Sequence, residues 1–222
     1  MDKKQSNSVD FWNSDETMIQ LAMPVKKTND IKGEKQILVK SNKSHERMGA
    51  TIMLSCSIAG EKKPATIIMK NNKNFSQRLL SELSIPSNVH LYSSKSGWMN
   101  KSLLTSWYNE NFTGKENHIM DVAGAHKSET FVTLTENHNI IYIPSGCTDM
   151  FQPLDMTVNK VFKDHIRCYY RTNKMKELSS MAQSYRQHML NAVSYAWEKI
   201  TKETIKKGFE KTGIAGCIGL SH

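Results

Sequence analysis

The sequence predicts an α/β domain, a mixed sheet flanked by helices with a C-terminal helical extension. Short β-rich apolar runs recur through the first two thirds, at Val9–Asp15, Thr51–Ile58, Ala65–Met69, His118–Asp121 and Asn139–Ile143. Helical periodicity separates the later runs and takes over completely after Gln152. The resulting order is strand, hairpin, helix, strand, helix, strand and then helices, which mixes strand directions and does not repeat a single βαβ unit.

Taken in order, Val9–Asp15 (VDFWNSD) alternates apolar and polar residues and reads as a strand that delivers Asp15 at its end. Lys26–Gly49 is polar and weakly periodic, a loop or ragged hairpin. Thr51–Ile58 and Ala65–Met69 are joined by Ala59-Gly60-Glu61-Lys62-Lys63-Pro64, whose turn chemistry makes them a hairpin. Asn71–Lys95 is polar and loop-like, with one short helical piece. Asn100 can cap a helix over Lys101–Asn109 that places Leu103, Leu104, Trp107 and Tyr108 on one face. A helix over Lys127–Glu136 precedes the strand Asn139–Ile143.

After the Pro144–Asp149 turn, Gln152-Pro153-Leu154-Asp155 opens a helix with Leu154, Val158, Val161, Phe162, Ile166 and Tyr169 on its apolar side. From Glu177 the residues Leu178, Met181, Tyr185, Met189, Ala192, Ala196 and Ile200 follow helical spacing. Thr201 restarts a helix that stops near Gly213.

Composition narrows the function classes. The chain has 222 residues, 38% hydrophobic and 23% charged, which fits neither a membrane protein nor a highly charged disordered chain. No apolar run approaches the ~18–20 residues of a membrane span, and Met1–Asp10 is polar. The net charge is +9 and it is clustered. Met156–His222 holds 12 Lys/Arg against five acids, and Lys26–Arg47 holds seven against three. Such a field suits a polyanion, nucleic acid before membrane, although Lys and Arg also simply solvate helix faces. Cys56, Cys147, Cys168 and Cys217 show no zinc spacing and read as small buried hydrophobes or free thiols.

Three aspartates share a setting. Asp15 and Asp121 each close a strand-like run, and Asp155 stands in the first turn of a helix. Carboxylates brought to one edge of a sheet provide the oxygen ligands that Mg²⁺ and Mn²⁺ require. Each also has a purely structural reading. Asp155 suits the helix dipole, Asp121 a strand-end turn, and Asp15-Glu16 a solvated pair. His126 is either a group supporting the loop after Asp121 or a histidine bonded to backbone. Trp98 and Trp107 read first as core side chains, with base stacking as the alternative.

The segments WNSDET (Trp12–Thr17), SGWM (Ser96–Met99), MDVAGAHKS (Met120–Ser128), IPSGCTDMFQPLD (Ile143–Asp155) and VNKVFK (Val158–Lys163) occur in a telling order. In that order the chain resembles the DDE superfamily endonuclease domain of pogo/Tigger-type transposases, found also in jerky-like and centromere protein B-like proteins. The resemblance covers about Val9 to Ile214.

The resemblance implies an RNase H-like catalytic domain over residues 9–170, with residues 171–214 as its C-terminal helical part. It implies a catalytic and metal-binding triad of Asp15, Asp121 and Asp155 that holds two Mg²⁺ or Mn²⁺ ions, with His126 in support. Water would attack a phosphodiester at an element's end, and the freed 3′-OH would attack target DNA. Relatives carry a helix-turn-helix region ahead of this domain, whereas this chain opens almost directly on a strand. It is therefore expected to be a catalytic domain alone, a truncated copy or an incomplete gene model. Lys160, Lys163 and Arg167 lie on or beside the exposed side of the helix after Asp155 and are the expected phosphate contacts. DNA is the expected partner, with a second copy of the chain as a further one, and the nucleus is the expected compartment. The alternative function is a domesticated, catalytically silent nucleic-acid-binding protein on the same fold.

Overall fold

The computed structural model describes residues 11–20, 49–114, 116–122, 129–136, 138–173 and 181–214. His126, Cys217, Leu178 and the expected loop over Lys26–Gly49, apart from Gly49 itself, lie outside the described residues.

Six strands form one sheet in the order β4-β3-β2-β1-β5-β6. They are β1 (Phe11–Gln20), β2 (Gly49–Ser57), β3 (Ala65–Lys70), β4 (Val89–Ser94), β5 (Asn117–Asp121) and β6 (Asn139–Ile143). β2 runs antiparallel to both β1 and β3, while β3–β4, β1–β5 and β5–β6 are parallel. Five strands therefore point the same way and only β2 opposes them, which is the mixed layout expected. The expected hairpin is present as β2 and β3, whose register runs from Ala50–Met69 to Met53–Thr66.

β2 is buried along nearly its whole length because helices cover both faces of the sheet. That explains why TIMLSCSI is a continuous apolar run without alternation. Ile52, Leu54 and Cys56 face one layer, with Leu154, Val158, Phe162, Ile166, Met189, Val193 and Phe209. Met53 faces the other, with Trp12, Leu104, Trp107, Tyr108, Phe112 and Phe131.

On this second side lies a helix over Lys101–Asn111, capped by the Asn100 side chain, which accepts from the Leu103 N–H as the sequence predicts. Trp107 and Tyr108 are both fully buried there. Trp98 is not a core residue. It is 52% exposed, because Gly97 takes φ +82° in a turn whose Ser94 hydroxyl donates to the Trp98 carbonyl, and the indole projects outward.

Two strands differ from expectation. β1 continues to Gln20, so Asp15 sits in its middle instead of at its end. The antiparallel ladder with β2 extends to Gln20–Gly49 and carries the strand onward. β4 was not expected within Asn71–Lys95. It is an edge strand whose four central residues are only partly buried, so VHLYSS lacks an apolar signature. The short helical piece expected in that stretch is present at Gln77–Ser81, which we label α1.

The remaining helices are α2 (Lys101–Asn111), α3 (Glu129–Leu134), α4 (Thr148–Phe151), α5 (Asn159–Thr172), α6 (Met181–Glu198) and α7 (Lys202–Lys211). Thr201 caps α7 by accepting from the Thr204 N–H, and Gly213 follows its end at φ +71°. The helix expected to begin at Gln152-Pro153 begins instead with a single π turn, Leu154–Val158, which then becomes α5. No described helix is long and apolar enough to cross a membrane.

Candidate active site

β1 and β5 are parallel, and their last paired residues are Asn13 and Ile119. Asp15 and Asp121 each lie two residues beyond that pair. The two strands thus bring their acids to the same level, Asp121 at the end of β5 and Asp15 halfway along β1. Along β1, Phe11, Asn13 and Asp15 share one face, the face covered by α5.

Asn13 organises this region. Its Nδ2 donates to the Ile119 carbonyl at 2.9 Å, and its Oδ1 accepts from the Leu154 N–H at 3.1 Å. One fully buried side chain therefore links the strand of Asp15, the strand of Asp121 and the π turn of Asp155. Gln152, also fully buried, reaches the Ser14 carbonyl through Nε2 at 3.4 Å. On the opposite face of β1, Ser14 Oγ bonds Ser55 Oγ at 2.7 Å and His118 Nε2 at 2.8 Å.

The π turn itself is held from behind. A Cβ on Gly208 of α7 would lie 2.5 Å from the Pro153 carbonyl oxygen and 2.8 Å from Thr157 Oγ1. Only glycine permits that approach. Thr157 Oγ1 also donates to the Thr204 carbonyl at 2.8 Å, so α7 clamps the turn that presents Asp155. π turns cost helical regularity and concentrate at functional positions.

Asp155 is exposed, while Asp15 and Asp121 are half-buried. Asn159, only 6% exposed, joins two of them. Its Nδ2 donates to Asp15 Oδ2 at 2.5 Å and to Asp155 Oδ1 at 2.7 Å. Burial pushes the Asp15 carboxyl up to about 7, and the neighbouring Asp155 and Asp121 charges push the same way. The hydrogen bond from Asn159 opposes this shift. Both neighbouring carboxylates thus act on Asp15.

The donor chemistry fits a hard divalent cation, because the site offers carboxylate oxygens and one buried amide with an unpartnered oxygen, Asn159 Oδ1. Among the described residues, no group of three or more His, Cys, Asp or Glu side chains is placed to hold a metal ion. The structure gathers Asp15 and Asp155 through Asn159 and leaves Asp121 as their charged neighbour.

Lys160 and Arg167 lie on α5, but Asp164 meets both, at 3.5 Å and 2.6 Å. The Lys160 side chain is 82% exposed, and Lys163 is partly exposed. Sequence reasoning missed Asn13 and Asn159, although a signal existed for each. Asn13 shares the period-2 face of Asp15. Asn159 follows Asp155 by four residues on the same side as Phe162 and Ile166, a polar residue within a buried stripe.

A mixed six-stranded sheet covered on both faces, with acids side by side on two adjacent parallel strands and in the π turn that opens α5, is an RNase H-like fold. The chain belongs to the DDE superfamily endonuclease family, whose model matches residues 47–209. That span includes Asp121 and Asp155 and begins after Asp15.

The chain is 28% identical over 219 residues to the mouse (Mus musculus) "Pogo transposable element with KRAB domain", covering 91% of this chain and 35% of the relative. It thus spans about a third of that relative's length. Among solved structures it resembles the Mos1 strand transfer complex, with TM-score 0.56 and 10% identity over 91% of this chain and 51% of that one. The Mos1 mariner paired end complex with Mn gives TM-score 0.56 and 9% identity over 91% and 52%. At these identities the likeness shows the fold.

Proposed function

We propose that this domain cleaves DNA phosphodiester bonds and transfers strands in a reaction that depends on Mg²⁺ or Mn²⁺. Asp15, Asp121 and Asp155 are the catalytic and ligand carboxylates, with two ions shared among them, and His126 supports the loop after Asp121. The observation that carries this reading is the Asn159 amide bridging Asp15 and Asp155, with Asp121 acting on the same carboxyl group. Such a group of acids, partly withdrawn from water, is costly unless a positive charge joins it.

When bound, the cations supply activation of an attacking oxygen and stabilisation of the leaving one. The chain's own contribution is placement. Asn13 and Gly208 fix the backbone that carries Asp155 relative to β1 and β5, and Lys160, Lys163 and Arg167 bind DNA phosphates without reading sequence. The positive charge of the chain and the Mos1 complexes named above support DNA as substrate and partner. A homodimer is compatible with this reading, and the nucleus is the compartment it implies.

The test is Mn²⁺-dependent nicking of supercoiled DNA by the wild-type chain and by Asp121→Ala. Nicking by the wild type alone supports the reading. DNA binding without Mn²⁺-dependent nicking replaces it with a silent DNA-binding protein on the same fold.

A further inference from the structure

Asn159 does more than link two acids. Its amide nitrogen spends both hydrogens on carboxylates, one on Asp15 and one on Asp155. Its Oδ1 is buried and has no hydrogen-bond partner among the described residues. A buried amide oxygen left unpaired costs stability.

Rotation of the amide by half a turn exchanges Oδ1 and Nδ2 with almost no change in shape. Without a cation, that rotation would set an oxygen against two carboxylates and is unfavourable. A divalent cation held by these carboxylates would favour the rotated amide, because hard ions accept neutral amide oxygens together with carboxylates. That gain would have to exceed the cost of turning the N–H groups into the position Oδ1 now fills. The neighbouring Gln152 also has a buried, unpartnered Oε1, but its amide nitrogen serves the Ser14 carbonyl and the structure shows no bond from it to the acids.

We propose that Asn159 is a two-position amide at this site. Through its N–H groups it holds Asp15 and Asp155 together before a divalent cation arrives, and it offers Oδ1 as a further oxygen ligand once the cation is bound. This rests on the metal-dependent reading above and adds a ligand that this reading does not contain. It also gives the acid pair a reason to survive without metal, since the bridging amide stands in for the missing positive charge.

The test compares the wild type with Asn159→Ala and Asn159→Asp, using Mn²⁺ alone as the probe. Two quantities are read: the melting temperature in chelator, and Mn²⁺ affinity by the spectroscopic signal of free ion. Asn159→Ala should melt lower in chelator and bind Mn²⁺ about tenfold more weakly or worse. Asn159→Asp should also melt lower in chelator, because a fourth carboxylate replaces the bridging donor. It should nevertheless bind Mn²⁺ at least as tightly as the wild type, because an oxygen ligand remains.

Weak Mn²⁺ binding by Asn159→Asp, to the level of Asn159→Ala, overturns the proposal and leaves Asn159 as a spacer. Should Asn159→Ala fail to fold, Asn159→Asp decides alone. A wild type that binds no Mn²⁺ removes the metal-dependent reading itself, an outcome distinct from failure of the Asn159 inference.

Discussion

The Asn13 side chain accepts a hydrogen bond from the Leu154 N–H at 3.1 Å, across 141 positions of sequence. Its other end donates to the Ile119 carbonyl, so the three segments that carry the aspartates meet at one amide. Asn13→Leu leaves the Leu154 N–H and the Ile119 carbonyl without this partner in the core. Urea unfolding should show a loss of roughly 2–4 kcal/mol. A loss below about 0.5 kcal/mol would mean that the three segments are held together by apolar packing alone.

Gly208 is where α7 touches the turn of Asp155. Gly208→Ala must displace the Pro153 carbonyl or the whole of α7, because the new Cβ would lie 2.5 Å from that oxygen. Thermal unfolding should fall by about 1–3 kcal/mol, the usual cost of overpacking. Mn²⁺ affinity should fall with it, because Asp155 moves with the turn. Lost stability with unchanged affinity would separate the clamp from the site.

Asp15 makes the metal-free protein sensitive to pH. Its carboxyl titrates at 3.8 when unperturbed and is pushed up to about 7 in the folded chain. The folded state therefore holds a proton that the unfolded state releases. This stabilisation is complete below about pH 4 and is lost as pH rises through 7. Asp15→Asn carries no charge and can still accept from Asn159. In chelator at pH 8 it should exceed the wild type by on the order of 2–4 kcal/mol, and the two curves should converge near pH 4. A wild type more stable than Asp15→Asn at pH 8 contradicts this electrostatic account.

Asp164 restrains the basic side of α5 by pairing with Lys160 and Arg167. Asp164 is half exposed and Lys160 well exposed, whereas the Arg167 side chain is only 28% exposed, so Asp164→Asn should change stability by about 1 kcal/mol, nearly all of it through Arg167. It should tighten DNA binding and steepen its salt dependence. Lys160→Ala with Lys163→Ala should do the reverse and lower the salt slope by about two. Fluorescence anisotropy with a duplex over a salt series checks both. An unchanged slope in the double variant places the DNA elsewhere on the molecule.

Much of this arrangement is legible in the sequence. The hairpin, the Asn100-capped helix, the strand at Asn139–Ile143 and the Thr201 cap all rest on local chemistry, in patterning, turn residues and capping side chains. What was not legible depends on distant partners. β4 is a partly exposed edge strand, and only its pairing with β3 orders VHLYSS. β1 passes beyond Asp15 because β2 pairs with it residue by residue to Gln20. The π turn has no pattern of its own and is set by α7 through Gly208 and Thr157.

The same distinction runs through the site. Asn13 works through bonds spanning 106 and 141 positions, and Asn159 reaches Asp15 across 144 as well as Asp155 across four, so local patterning marks their place on a buried face but not their partners. Trp98 reads as core by size, yet its turn faces it outward.

The most direct measurement is the melting temperature with and without millimolar Mn²⁺, for the wild type and for Asp121→Ala. A ligand that binds only the folded state stabilises it, by about 2.7 kcal/mol at a hundred times Kd. The account predicts a clear Mn²⁺-dependent rise in the wild type that Asp121→Ala abolishes. A cooperative melt of the wild type that ignores Mn²⁺, or an equal rise in both proteins, would contradict it.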